Sequence, residues 1–176
     1  LKAILPDAKT VAVLYCSSES NSAAQYALAK AQIEALGMTC IEKTISAIDE
    51  AKSAVESLAG VADAIYVPTD NTISDSMTSV SAAANAVKLP LIVGEAGMVV
   101  NGALATYGID YYRLGKQTAE MAVKLLKADK PLDEIAKMAV VYQTDCVYAV
   151  NTDTAAALGI TIPEEILSKA TIYPSK

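Results

Sequence analysis

The sequence predicts an α/β domain, a doubly wound parallel sheet with helices on both faces. Three observations carry this. Apolar, β-prone runs begin near Val11, Met38, Ala64 and Leu91, spaced by 27, 26 and 27 residues, the length of a strand, a helix and their turns. Between the runs, apolar residues recur at three and four: Ile48, Ala51, Val55 and Leu58, then Ile73, Met77, Val80, Ala84 and Val87. Each stripe suits a helix facing a sheet. The runs themselves, such as Val11-Ala12-Val13-Leu14-Tyr15 and Ala64-Ile65-Tyr66-Val67, show no polar alternation, as expected of parallel strands covered on both faces.

Taken in order, the first strand at Val11 leads through a hydroxyl-rich loop into a helix that closes at Leu36-Gly37. The second strand follows at Met38, and its helix closes at Ala59-Gly60. The third strand at Ala64 runs through Pro68-Thr69-Asp70-Asn71-Thr72 into the helix of the Ile73 to Val87 stripe. Pro90 precedes the fourth strand, and Gly94-Glu95-Ala96-Gly97-Met98 reads as a glycine-bearing turn after it. Beyond Asn101-Gly102, a short run at Leu104 to Tyr107 is the fifth strand, and a long helix spans Tyr111 to Lys127 with Leu114, Thr118, Met121 and Leu125 on one side. Lys127 to Lys137 reads as a polar connector, Met138 to Val150 as one or two further strand segments, and Thr152 to Leu158 as a short last helix.

Composition narrows the chemistry. The 176 residues suit one ordinary domain, and 53% hydrophobic against 19% charged residues favours a packed core over disorder. Fourteen basic against 20 acidic residues give a formal charge of −6, the wrong sign for tracking a phosphate backbone. The absence of histidine rules out a Ser-His-Asp or Cys-His pair and any histidine-bearing metal site. Cys16, Cys40 and Cys146 have neither CxxC spacing nor an even count, so they read as small buried hydrophobes, not as disulfides or metal ligands.

In such a fold a ligand lies beyond the carboxyl ends of the strands. The loop after the first strand, Ser17-Ser18-Glu19-Ser20-Asn21-Ser22, opens a helix and offers hydroxyls, amides and unpaired N–H groups to a carboxylate or phosphate. Plain capping by Ser20 or Ser22 explains part of it equally well. Asp70 or Asn71 can either cap the next helix or accept from a ligand ammonium. Glu95 brings negative charge between two glycines, and Asp110 stands with Tyr107, Tyr111 and Tyr112 after the fifth run. Anion donors, cation acceptors and aromatic rings on one rim describe a receptor for a zwitterion such as a free amino acid.

At these residues the sequence resembles the substrate-binding proteins of ABC transporters, of the tryptophan and tyrosine transporter type. The resemblance is carried by Leu5-Pro6-Asp7-Ala8-Lys9, Tyr15 to Ser22, Asp63 to Thr72, Gly94 to Val99, Asn101 to Tyr112 and Leu158 to Pro163, in that order. It implies one flavodoxin-like lobe, of strand order 2-1-3-4-5, in a type I periplasmic-binding-protein fold. Residues 1–110 and 146–176 would form the second lobe. Residues 111–145 would be a crossover helix and connector that in the family belong to the first lobe, most of which this chain would lack. By position, the implied ligand residues are Ser18, Glu19, Asn21, Ser22, Thr69, Asp70, Asn71, Glu95 and Asp110.

The resemblance further implies a solute-binding component of an ABC importer, not an enzyme, with no cofactor or metal. Its partners would be a small ligand, an amino acid foremost, and the transporter's membrane subunits, but not nucleic acid. It would lie at the cell surface on a lipid anchor or in the periplasm. The crossover helix must cover its apolar stripe, on its own sheet or in a homodimer that exchanges it. The rival reading is a flavodoxin-like FMN-binding electron-transfer protein. Against it, Ser20 stands where phosphate loops use glycine, and only tyrosines are present to sandwich a flavin. Receiver domains and dinucleotide-binding dehydrogenases fit less well, since acids stand in the wrong places for the first and GxGxxG is missing for the second.

Overall fold

The structure is a computed structural model and describes residues 1–174; residues 175 and 176, the end of the predicted 146–176 stretch, lie outside the described residues. The five predicted strands are β1 (Thr10–Cys16), β2 (Thr39–Ile45), β3 (Ala64–Val67), β4 (Leu91–Glu95) and β5 (Ala105–Ile109). They lie in the order 2-1-3-4-5, within a seven-stranded sheet that adds β6 (Val147–Asn151) and β7 (Ala170–Tyr173) beside β5. β1 runs parallel to β2 and β3, and β3 to β4. β6 is antiparallel to β5 and parallel to β7. The fold is therefore α/β with a mostly parallel sheet, as the periodicity predicts.

Alternation along β1 shows why its strand is apolar throughout. Val11, Val13 and Tyr15 pack with Ile33 and Met38 on one face. Ala12, Leu14 and Cys16 pack on the other with Ala54, Val55, Val80 and Ala84. The first face is covered by α1 (Ser20–Ala35). The second is covered by α2 (Ala51–Glu56), α3 (Asn71–Ser74), α4 (Met77–Ala86) and α5 (Ala96–Val100), which bury Val55, Ile73, Val80 and Met98. At about 25 cal/mol per Å² of apolar surface, such two-sided burial is the main force holding the sheet. Helix α1 stops where Gly37 takes φ +73°, which lets Met38 N–H reach the Ile33 carbonyl and the chain turn into β2.

Four elements differ from the sequence reading. The Ile73 to Val87 stripe is broken at Asp75-Ser76 into α3 and α4, because residues that compete for backbone hydrogen bonds stand there; Ile73 and Met77 still face the core. Gly94 to Met98 does not stay a loop, because the Glu95 carboxylate nucleates α5. The connector contains α7 (Pro131–Ile135), started by proline with Asp133 and Glu134 in its first turn. Of Met138 to Val150, only Val147 onward is strand. Helix α8 (Thr152–Leu158) matches expectation, whereas α9 (Glu164–Leu167) and β7 carried no signal strong enough to read.

Contacts divide the chain into two units. One comprises Leu1–Gly108 with Val147–Lys176 and holds the sheet except Ile109, the last residue of β5; the other is Ile109–Cys146. The second contains α6 (Tyr111–Leu126), the predicted long helix, and α7. No residue of α6 is buried. No described helix is long and apolar enough to cross a membrane.

Candidate functional site

Within the first unit the loops leaving β1 and β3 are knitted together at the carboxyl ends of those strands, with Gly94 of β4 packed closely on Thr69. Asp70 ends the loop after β3 and is 1% exposed. One carboxylate oxygen accepts from Ile73 N–H at 2.9 Å and so caps α3; the other accepts from Cys16 N–H at 2.7 Å, at the end of β1. Glu19 makes the reverse connection from the β1 loop to the β3 loop. It accepts from Thr72 N–H and Oγ1, both at 2.7 Å, and from Asn71 N–H and Nδ2, both at 3.1 Å. Asn21 Nδ2 lies 3.4 Å from the same carboxylate and donates to the Thr69 carbonyl at 3.0 Å.

These bonds set the ionisation of Glu19. Desolvation opposes the charged form, but donors from the Thr72 backbone and hydroxyl, the Asn71 backbone and Asn21 outweigh it, and the pKa is lowered from 4.5 to about 2. A folded-state pKa below the unfolded one stabilises the fold above the unfolded value and loses that contribution as pH falls toward the folded one. Wild-type stability is therefore expected to fall between about pH 4.5 and about pH 2 in part through Glu19. Urea midpoints measured across that range in the wild type and in Glu19→Gln check this, and equal slopes for the two proteins refute it.

Glu95 follows the same pattern at β4. Its two oxygens accept from Gly97 N–H at 2.6 Å and Met98 N–H at 2.8 Å, capping α5. In the second unit, Asp110 caps α6 through Tyr112 N–H at 2.9 Å and Arg113 N–H at 3.1 Å, with the Arg113 guanidinium at 3.4 Å. All four predicted carboxylates thus hold backbone N–H groups at helix starts. At Glu19 nearly all the lone pairs that an incoming ammonium would need are engaged, whereas Asp70, Glu95 and Asp110 each accept two backbone N–H bonds.

The remaining predicted residues divide by exposure. Ser18 is exposed, with its Oγ 3.1 Å from Cys16 Sγ; Asn21 and Asn71 are exposed, and Thr69 is half-buried. Asn71 donates a backbone and a side-chain N–H to Glu19 and is itself exposed. Ser22 is fully buried at the start of α1, and its Oγ has no hydrogen-bond partner among the described residues. The structure brings Ser18, Glu19, Asn21, Thr69, Asp70 and Asn71 into one cluster, and Gly94 ties Glu95 to it. An ideal Cβ on Gly94 would lie 2.7 Å from Thr69 N and 2.8 Å from Thr69 Oγ1. The glycine serves contact between β4 and the loop after β3, where the sequence suggested contact with a ligand.

Sequence reasoning missed Gln25. Its Oε1 accepts from Thr69 N–H at 3.0 Å and its Nε2 donates to the Thr69 carbonyl at 3.2 Å. The available signal was its position four residues after Asn21, on the same face of α1. Also unread was a groove of about 560 Å³ beside α1, lined by Leu28, Ile33, Leu36, Tyr66 and Tyr107. It contains none of the predicted ligand residues.

Comparison with known proteins places this geometry. The model of the family described as ABC transporter substrate binding protein matches residues 1–173. The chain belongs to that family. Among curated proteins, this substrate-binding-family chain is 36% identical over 161 residues to the tyrosine-binding protein of Clostridioides difficile, covering 89% of this chain and 47% of that protein. Among solved structures it is 36% identical, at a TM-score of 0.85, to an ABC domain in complex with L-Trp from Streptococcus pneumonia, covering 98% of this chain and 58% of that one. It is 39% identical, at a TM-score of 0.79, to the ligand-free, open form of a substrate-binding protein with adhesive properties from Clostridium difficile, covering 100% of this chain and 58% of that one. The chain spans about half the length of the relatives it matches. The family is one of solute-binding proteins and not of enzymes, and the seven-stranded sheet is the kind its solved members share.

Proposed function

We propose that this chain forms the second lobe of a solute-binding component of an ABC importer, in a type I periplasmic-binding-protein fold, and takes a small zwitterionic ligand, an aromatic amino acid first among them. The observation that carries the reading is the knitted rim, where the loops after β1 and β3 bond to each other through Glu19, Asn21, Asn71 and Thr72 and Gly94 of β4 packs closely on Thr69. The ligands of the relatives, tyrosine and L-Trp, point to the same class.

In this reading the chemistry is differential affinity, with no bond made or broken. The start of α1 and the Ser18 hydroxyl meet the ligand carboxylate, since N–H groups and partial positive charge gather there. Amide oxygens, with Asn71 foremost, meet the ammonium, and the capped carboxylates behind them supply negative potential without direct contact. A transporter's membrane subunits then distinguish open from closed forms by the ligand's preference for one of them. The residues of 111–145 belong to the first lobe of the two-lobed arrangement, and the protein works outside the cytoplasm, on a lipid anchor or in the periplasm. A homodimer exchanging α6 is part of the proposal, supported by the absence of any buried residue on that helix. Light scattering that finds monomer alone at every concentration removes this element.

One wall of a cleft leaves most of a small ligand hydrated, so the surplus over the entropic cost of association is small. Calorimetry with L-tyrosine and L-tryptophan is expected to give affinities weaker than micromolar, or no measurable heat. Micromolar or tighter binding to this chain contradicts the one-wall account, and the absence of chemical-shift changes at Ser18 and Asn71 with millimolar L-tryptophan contradicts the ligand assignment.

A further inference from the structure

We infer that Gln25 is a positioning residue for the rim, a side-chain amide that fixes the loop after β3 in the shape its ligand-facing groups require. This rests on the amino-acid reading above for its purpose, though not for its geometry. Gln25 gives Thr69 one acceptor and one donor, as a neighbouring β-strand would, just where β3 ends and ladder pairing stops at Val67. Asn21, one turn earlier, adds a second donor to the same carbonyl. From the opposite side Gly94 lies so close to Thr69 that no Cβ fits between them. The Thr69 peptide is therefore held between α1 and β4, and the next two residues, Asp70 and Asn71, start from a fixed point. The second unit repeats the device at another predicted residue. Asp110 N–H donates to Gln143 Oε1 at 3.0 Å, and Gln143 Nε2 donates to the Asp110 carbonyl at 3.3 Å.

An amide is required because the clamp needs a donor and an acceptor on one planar group. Alanine at position 25 supplies neither. Ionised glutamate supplies two acceptors, so its second oxygen faces the Thr69 carbonyl without a proton. Protonated glutamate again supplies one of each, and its ordinary pKa is about 4.3.

The test uses the whole chain and two readouts. Amide hydrogen exchange by NMR is expected to show Thr69 exchanging about tenfold faster in Gln25→Ala, with Val13 and Ile65 in the sheet unchanged. With L-tryptophan as probe, the shift changes at Ser18 and Asn71 are expected to need about tenfold more ligand in Gln25→Ala. Gln25→Glu should lose the response near neutral pH and regain it as the pH falls through about 4. The wild type and Gln32→Glu, an exposed change on the same helix, should show no such recovery. A general loss of stability would not be restored by acid. Unchanged Thr69 exchange in Gln25→Ala overturns the clamp, as does Gln25→Glu binding with the wild-type pH profile. If the wild type itself gives no shifts with L-tryptophan, the amino-acid reading fails while exchange at Thr69 still decides whether Gln25 holds the loop.

Discussion

Asp70→Ala is expected to lower folding stability by about 2–6 kcal/mol, since two buried N–H groups each lose a carboxylate acceptor at about 1–3 kcal/mol apiece. The residue is 1% exposed, so water cannot readily replace it at Cys16 N–H or Ile73 N–H. The loss should reach beyond α3, because the same carboxylate ties the end of β1 to the loop after β3 across 54 residues of sequence. Asp70→Asn is the sharper variant. Its amide oxygen satisfies one N–H while its NH₂ group confronts the other, so about half the loss should remain. Urea denaturation of the three proteins at neutral pH measures the differences. Midpoints within experimental error of one another show that the two bonds do not carry the loop.

Gly108→Ala carries the second large effect. An ideal Cβ at Gly108 would overlap the carbonyl oxygen of Gly94 and come within 2.8 Å of Thr106 Oγ1. The obstacle is backbone, which no rotamer change relieves, so β4 and β5 must separate where Thr106 Oγ1 donates to the Val93 carbonyl at 2.6 Å. The expected cost is about 2–3 kcal/mol. The same substitution at Gly115, inside α6, meets nothing within 4 Å and should stabilise by about 0.5–1 kcal/mol through helix propensity. Thermal unfolding of both variants decides the matter. A Gly108→Ala midpoint equal to that of the wild type refutes the close packing of the two strands.

These two positions show what kinds of information a sequence holds. Strand starts were legible because they depend on burial periodicity along the local chain, and the order of the first five strands was legible only through the family resemblance. Val11 to Tyr15 could be read as two-sided because every residue is apolar, and the structure divides those side chains between two cores. The cluster of Ser18, Glu19, Asn21, Thr69, Asp70 and Asn71 was legible for a similar reason, since parallel strands must place successive βα loops at one end. The family was legible from motifs in a fixed order. Strands β6 and β7 were less so, being short segments after an irregular stretch whose pairing is non-local.

What each rim residue does was not legible, because a carboxylate beside a helix start serves a cap or a cation equally well. Glu19 illustrates this. The sequence places it at the start of α1, yet its side chain satisfies Asn71 and Thr72, more than 50 residues away. Gln25 looked like one more polar residue on an alanine-rich helix until the loop after β3 was seen against it.

The sequence by itself determined the α/β class, the family with the strand order that the family implies, and the end of the sheet where polar loops gather. All of these follow from hydrophobic periodicity and local motif chemistry, which are properties of neighbours along the chain. Only the tertiary structure decided that Glu19, Asp70, Glu95 and Asp110 act as caps, that Gly94 and Gly108 admit neighbouring backbone, and that Gln25 grips Thr69. Those roles depend on which donor meets which acceptor across loops far apart in sequence, and that is fixed when the sheet closes up its carboxyl ends.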